Sequence, residues 1–321
     1  MSLLFPFFKL NSIQVEVSTR CQLSCLMCPR SFFEWKSMDM DFEDFKKLPF
    51  SKFSYAHLQG WGEPLLNSEI GEMIEFAKKK CRVGLTTNGL LIDEWKESLL
   101  KLDLLAVSIA GINAQREVRK SRIEEIAPKI QELALRKKRP KIVIATLMMR
   151  NTIAELPALV EMAKKIGVDQ VIANNLDYIP SKNLVGLEVF SNEVDREIFE
   201  IVERAKRRAE EIGIEFVVRP LKFEEAAVCA ENPIRNCFVT VEGLIAPCAY
   251  LHLPTNGEWI VRYFKGEERR VRKVYFGRAE DFKSVWKCKD YVNFRKMFEE
   301  RIYFSRELPE GCRTCYKAYS L

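Results

Sequence analysis

The stretch Ser18-Thr19-Arg20-Cys21-Gln22-Leu23-Ser24-Cys25-Leu26-Met27-Cys28-Pro29-Arg30 carries three cysteines spaced CxxxCxxC, directly after an apolar run at 13–17 that reads as a strand. A loop of this kind can wrap three thiolates around one metal object. A structural zinc site wants four protein ligands in a closed tetrahedron, so three local thiolates leave one position open. An iron–sulfur cubane held by three cysteines likewise has one iron free for another ligand. Spacing alone leaves both readings standing, the zinc one needing a fourth ligand from elsewhere.

Outward from the loop, short strand-like runs alternate with amphipathic helical runs, the pattern of repeated βα units and a parallel sheet. Strands are expected at 13–17, 54–59, 82–86, 104–109, 141–147 and 168–173, and helices at 41–47, 68–80, 92–102, 123–137, 153–166 and 192–212. Asn67 or Ser68 is the expected cap of the second helix. A further strand-like run lies at 214–218. Six βα units are too few to close an eight-stranded barrel, yet parallel strands of this kind place their sites on the loops at the strand C-termini. After residue 220 the helical alternation stops and Pro, Gly, aromatic and Cys residues become prominent, so a boundary is expected between 1–220 and 221–321.

With 321 residues, 47% of them hydrophobic, the chain can bury a large core. No apolar run is long enough to cross a bilayer. The opening Met1-Ser2-Leu3-Leu4-Phe5-Pro6-Phe7-Phe8 is broken by Pro6 and has no small-residue cleavage site, so a packing arm and a cytoplasmic location are expected. A net charge of +6, from 51 basic and 45 acidic residues, is too small to demand nucleic acid. Abundant Lys, Arg and Glu beside few Gln fit a thermophile composition.

Ten cysteines without a sign of secretion argue for metal, since they cluster as 21/25/28 and 229/237/248/312/315. Cys81 and Cys288 stand apart and read as buried small hydrophobes. Residues 229–248 read as a hairpin turning at Glu242-Gly243, which would set Cys237 opposite Cys248. Five thiols then compete for one site of up to four protein ligands, iron–sulfur or a zinc ribbon. A second hairpin is expected over 261–276 with a basic outward face, a solvated edge or a surface for an anionic substrate or acidic partner. His57 and Gln59 share one strand face, where a lone His is more often a satisfied core residue than a substrate contact.

The cysteine loop resembles that of radical S-adenosylmethionine (SAM) enzymes, with Met27 where that family often has an aromatic residue. Further segments resemble the same family: Gly60-Trp61-Gly62-Glu63-Pro64 its GGEP motif, Thr87-Asn88-Gly89 its TNG segment, and Ser108-Ile109-Ala110-Gly111 its S-[IL]-D-G segment with Ala110 replacing the acid. The resemblance implies a partial (β/α)6 barrel of TIM type. It implies a 4Fe–4S cluster on Cys21, Cys25 and Cys28 whose open iron chelates SAM. Met27, Gly60, Trp61, Gly62, Glu63, Pro64, Asn88, Ser108 and Arg119 are then SAM contacts, Glu63 facing the SAM ammonium and Arg119 its carboxylate. Asn151, at a strand end, is a further candidate. The reduced cluster would cleave SAM to a 5′-deoxyadenosyl radical that takes a hydrogen atom from substrate, with an electron supplied by a reductase or ferredoxin.

Residues 221–321 resemble the SPASM and twitch extensions of that family, which hold auxiliary clusters through a Cys, a GxxxxC and a later CxxC. Gly243 to Cys248 fits the middle element and Cys312/Cys315 the last; family spacing favours Cys229 as the first ligand and Cys237 is the alternative. One auxiliary 4Fe–4S cluster fits better than two. The basic segment after Cys248 resembles radical SAM proteins linked to maturation of tungsten-containing oxidoreductases. Cofactor or metalloenzyme maturation on a small molecule, modification of a ribosomal peptide, and a noncatalytic iron–sulfur protein are the functions in view, with no membrane association expected.

Overall fold

The computed structural model describes residues 9–319, so the arm expected at 1–8 lies outside the described residues. Seven parallel strands come first: β1 (Leu10–Val15), β2 (Phe53–Leu58), β3 (Arg82–Thr87), β4 (Leu104–Ser108), β5 (Lys141–Met148), β6 (Gln170–Asn175) and β7 (Glu215–Val218). Helices α1 (Phe42–Lys46), α2 (Ile70–Lys78), α3 (Lys96–Leu99), α4 (Ala114–Arg119), α5 (Ile123–Ala134), α6 (Leu156–Lys165) and α7 (Arg196–Ile212) connect them.

The strands divide their side chains by parity. Ile142, Ile144 and Met148 of β5 are buried under the helices, while Val143, Ala145 and Leu147 face an inner cavity. Gln14, His57, Thr86, Ala106 and Ile172 reach the same cavity from β1, β2, β3, β4 and β6, so the sheet curls around it. The helices seal the outside: α5 buries Ile123, Ile126, Ile130 and Leu133, and α7 buries Ile198, Ile201, Val202, Ala205 and Ala209, both at helical spacing. The Asp195 carboxylate caps α7 by accepting from the N–H groups of Glu197 and Ile198, and Gly213 ends it at φ 67°.

Six βα units form as expected, and the sheet continues past them. β8 (Asn236–Val239) pairs in parallel with β1, and β9 (Ile245–Ala246) pairs antiparallel with β8, giving the order β7-β6-β5-β4-β3-β2-β1-β8-β9. The edges β7 and β9 do not pair with each other, so the partial barrel stays open. The segment after residue 220 is thereby joined to the first strand.

Several expectations are corrected. Helices do not stop at 221: α8 (Phe282–Lys287) and α9 (Lys289–Tyr303) follow, their pattern obscured because α9 buries only Tyr291, Arg295 and Phe298. The helix α4 is also new. Asn67 does not cap α2; its Oδ1 accepts from Glu69 N–H at 2.9 Å, and its Nδ2 donates to the carbonyls of Val17 and Met40. The hairpin turns over Thr240–Gly243, with Phe238 opposite Ala246, one residue off the expected register. A slip of one residue puts Cys237 and Cys248 on opposite faces. Cys81 and Cys288 are half-buried rather than buried. The second hairpin, β10 (Trp259–Phe264) and β11 (Glu267–Arg272), turns at Lys265-Gly266. Its arginines are not a bare basic face: Arg269 pairs with Glu267, Arg270 with Glu268 and Arg272 with Glu258.

Candidate functional site

The loop after β1 is anchored through its backbone, which leaves its thiols free to face inward. Arg30 donates to the carbonyls of Leu23 and Cys21, both at 3.0 Å, Cys28 N–H donates to the Cys25 carbonyl at 3.1 Å, and Leu26 N–H reaches the Val118 carbonyl on α4 at 2.7 Å. Cys21, Cys25 and Cys28, with Met27, line one cavity of about 260 Å³. Burial pushes the Cys28 thiol up to about 11, against the Arg30 N–H that favours the thiolate, and it raises Cys21 as well.

The segment after β2 forms the opposite wall. Gly60, Trp61, Gly62 and Glu63 line the cavity, and Pro64 is buried at the start of the turn behind them. A Cβ on Gly62 would lie 2.3 Å from the Ser18 carbonyl oxygen, so only glycine lets this segment approach the cysteine loop. The Glu63 carboxylate accepts from Leu65 N–H at 3.1 Å, from the Thr87 hydroxyl at 2.7 Å and from Asn88 N–H at 2.7 Å. Burial nonetheless pushes Glu63 up to about 7, those hydrogen bonds opposing the shift. Asn88, Ser108 and Arg119 complete the wall. Asn88 Nδ2 donates to Gln22 Oε1 at 3.2 Å, and the buried Nε of Arg119 has no partner among the described residues. Asn151 is the exception: it stands exposed on the loop after β5 and lines neither this cavity nor the inner one, because the loop turns away toward α6.

Two groups escaped the sequence reading. Glu16, fully buried, accepts from Trp61 N–H at 2.9 Å and lies 3.1 Å from Nε2 of His252, whose Nδ1 meets the Tyr275 hydroxyl at 2.7 Å. A charged residue between Val15 and Val17, in an apolar strand run, was the available signal. Trp61 Nε1 in turn donates to the His252 carbonyl at 3.0 Å, so the C-terminal segment holds this wall in place. The second group is an inner cavity of about 530 Å³ that shares Gln59, Trp61, Ser108, Arg119 and Asp177 with the first and adds Arg219, Glu231 and Lys317. His57 lies on its floor, its ring nitrogens 2.8 Å from the Tyr55 and Thr86 hydroxyls, and burial lowers its pKa to about 4. It is therefore both hydrogen-bonded and cavity-lining.

The C-terminal cysteines separate into two environments. Cys229, Cys248 and Cys312 share one small apolar cluster with Leu251, Phe298 and Leu308. Burial raises the Cys248 and Cys312 thiols, and nearby Cys315 and Cys229 raise both further. Cys229 is pushed up to about 12, again by burial first, with Cys315 contributing. Cys237 packs instead in the main core, where burial raises it and Arg295 is the charge it feels.

A parallel sheet curled around a cavity, with a three-cysteine loop at its mouth, defines the class. A model of the radical SAM superfamily matches residues 15–188, and a model of SPASM, an iron–sulfur cluster-binding domain, matches residues 229–316. The chain belongs to the radical SAM superfamily. It is 26% identical to the tungsten-containing aldehyde ferredoxin oxidoreductase cofactor-modifying protein of Pyrococcus furiosus, over 91% of this chain and 85% of that one. It is also 26% identical to a probable GTP 3′,8-cyclase of Methanococcus maripaludis, over 80% of this chain and 93% of that one. The crystal structure of Streptococcus suis SuiB bound to S-adenosylmethionine superposes with a TM-score of 0.68 at 15% identity, covering 98% of this chain and 72% of that one, a likeness of fold.

The two matched families imply a SAM-binding 4Fe–4S cluster and an auxiliary iron–sulfur centre. The residues fit both. Three thiols line one cavity, the donor set that a cubane with one open iron takes. The unpartnered Arg119 Nε beside them awaits an acceptor. Among the described residues no helix is long and apolar enough to cross a membrane.

Proposed function

We propose that Cys21, Cys25 and Cys28 hold the SAM-binding cluster and that Cys229, Cys248, Cys312 and Cys315 hold the auxiliary one. Bound there, the first cluster would supply the one-electron reduction that splits SAM into methionine and a 5′-deoxyadenosyl radical able to take a hydrogen atom from substrate. The chain contributes position and shielding. Gly60, Trp61 and Gly62 present backbone to SAM, Glu63 offers its remaining lone pair to the ammonium, Arg119 receives the carboxylate, and Met27, Asn88 and Ser108 bound the rest. The inner cavity, lined by barrel strands with Trp61 and Tyr250 at its side, would seat the substrate. Residues 1–220 act as the barrel unit and 221–321 as the auxiliary-cluster unit.

The process we favour is maturation of a cofactor or metalloenzyme of the tungsten-oxidoreductase type, supported by the Pyrococcus furiosus relative matched along most of both chains. Modification of a ribosomal peptide is the second reading, supported by likeness to SuiB bound to its precursor peptide SuiA. In either case a reductase or ferredoxin supplies the electron, and the chain works as an oxidoreductase in the cytoplasm of a thermophile. The observation that carries the proposal is the single cavity shared by three loop thiols, Gly60–Glu63, Asn88, Ser108 and Arg119. Anaerobic reconstitution with iron and sulfide, followed by dithionite and SAM, should yield 5′-deoxyadenosine. A loaded protein that yields none, with or without candidate substrate, sinks the enzyme reading.

A further inference from the structure

The inner cavity holds charge that the cysteine loop does not use. Part of it is closed on itself: Lys317 Nζ lies 2.5 Å from Asp177 Oδ2, and the Tyr250 hydroxyl donates to Asp177 Oδ1 at 2.9 Å. Two other groups line the same cavity without such closure. Arg219 donates through Nε to Asn174 Oδ1 at 3.4 Å, and its two terminal nitrogens have no partner among the described residues. The Glu231 carboxylate has neither a hydrogen bond nor an ion pair among the described residues. Glu231 lies within electrostatic reach of Lys317, Asp177 and Arg219, in that order of strength, yet it forms a salt bridge with neither cation. An unpaired guanidinium and an unpaired carboxylate facing one cavity offer a ligand two poles of opposite charge.

We propose that this cavity seats a small amphoteric molecule, its carboxylate or phosphate on the Arg219 fork and its ammonium or N–H edge on Glu231. A guanidinium offers paired donors that match either anion, and a carboxylate accepts two N–H bonds side by side. The volume, about 530 Å³, lies in the range of small-molecule sites. Val143, Ala145 and Leu147 give the body of the ligand an apolar floor between the two poles. The inference rests on the radical SAM reading, because it takes the cavity beside the cysteine loop as the substrate chamber.

The test uses the full chain, reconstituted anaerobically and loaded with SAM, titrated calorimetrically with O-phosphoethanolamine, β-alanine, inorganic phosphate and ethylamine. The better two-pole probe binds at least about tenfold tighter than either one-pole probe, the change expected when a second charged contact is added. Which two-pole probe wins tells phosphate from carboxylate. Arg219→Gln reduces the winner to the level of ethylamine, and Glu231→Gln reduces it to the level of its anion alone. Iron content is measured on each variant, and Arg219→Gln, outside the cysteine segments, decides alone if Glu231→Gln loses iron. Two-pole probes that bind no better than phosphate, or that ignore both substitutions, overturn the inference. Formation of 5′-deoxyadenosine by the wild-type chain without probe tests the underlying reading separately.

Discussion

Glu16 Oε2 lies 3.1 Å from Nε2 of His252, with both side chains sealed from solvent, and this contact joins β1 to the C-terminal segment. The same carboxylate accepts from Trp61 N–H and, at 3.4 Å, from Val241 N–H. Glu16→Ala leaves two buried N–H donors and the His252 ring without an acceptor, which costs about 3 kcal/mol or more. The expected outcome is a lower unfolding midpoint together with weaker SAM binding, because Trp61 lines the cavity proposed for SAM. Thermal unfolding and equilibrium dialysis check it. A large loss of stability with unchanged SAM affinity would remove the link to the site.

Arg295 is the counterpart on the far side of the C-terminal segment. Its guanidinium lies 4.0 Å from the Trp286 ring centroid and 4.5 Å from that of Tyr291, and it donates to the Trp286 carbonyl at 2.6 Å. Tyr291 stacks in turn on Phe276 at 4.1 Å. Arg295→Ala should lower stability by about 2–3 kcal/mol, from a lost charged hydrogen bond and lost ring contacts. Arg295→Lys should recover less than half of that, since an ammonium cannot stack as a planar fork does. Urea midpoints at constant slope measure both.

The sequence carried more of the barrel than of the chamber inside it, for a physical reason. Alternating βα patterns and strand-end motifs are local, so the cysteine loop and Glu63, and by family resemblance Asn88, Ser108 and Arg119, could be expected at one mouth, and the cavity gathers them. The expected register of the Cys237 hairpin failed because a turn can lengthen by one residue without changing its composition, and that step exchanges the two faces. Asp177, Arg219, Glu231 and Lys317 come from four separate segments after β6. Among 96 charged residues nothing in their neighbours marks them as inward-facing. Asn151 stands apart from both cavities: a strand end is a permissive address, and the loop that follows decides where the side chain goes.

Iron stoichiometry separates the cysteines. Replacing any of Cys21, Cys25 or Cys28 by Ala should halve bound iron, from about eight to about four per chain, and abolish 5′-deoxyadenosine formation. Cys229→Ala, Cys248→Ala, Cys312→Ala or Cys315→Ala should also lose about four irons while the first cluster persists. Cys237→Ala should keep all the iron and cost about 1 kcal/mol by opening a small void in the core. Loss of iron from Cys237→Ala with retention in Cys229→Ala would reverse the assignment.

Glu63 gives the cavity proposed for SAM a pH dependence. Its carboxyl has an ordinary value of 4.5 and is pushed to about 7, burial outweighing the hydrogen bonds from Asn88, Thr87 and Leu65. Between those values the folded chain holds a proton that the unfolded chain has released, so stability is fully present below pH 4.5 and declines as pH rises toward about 7. Across that window the loss amounts to about 3 kcal/mol in the absence of ligand. An ammonium set against Glu63 favours the ionised form, so SAM binding expels the proton and its affinity rises with pH up to about 7, then levels. Glu63→Gln should flatten both trends and weaken SAM binding at every pH. Dialysis between about pH 5.5 and pH 8, beside unfolding curves in the same buffers, reads the two slopes. A wild-type affinity that stays level through the acid half of that range would show that Glu63 holds the Thr87–Asn88 turn without facing the ammonium.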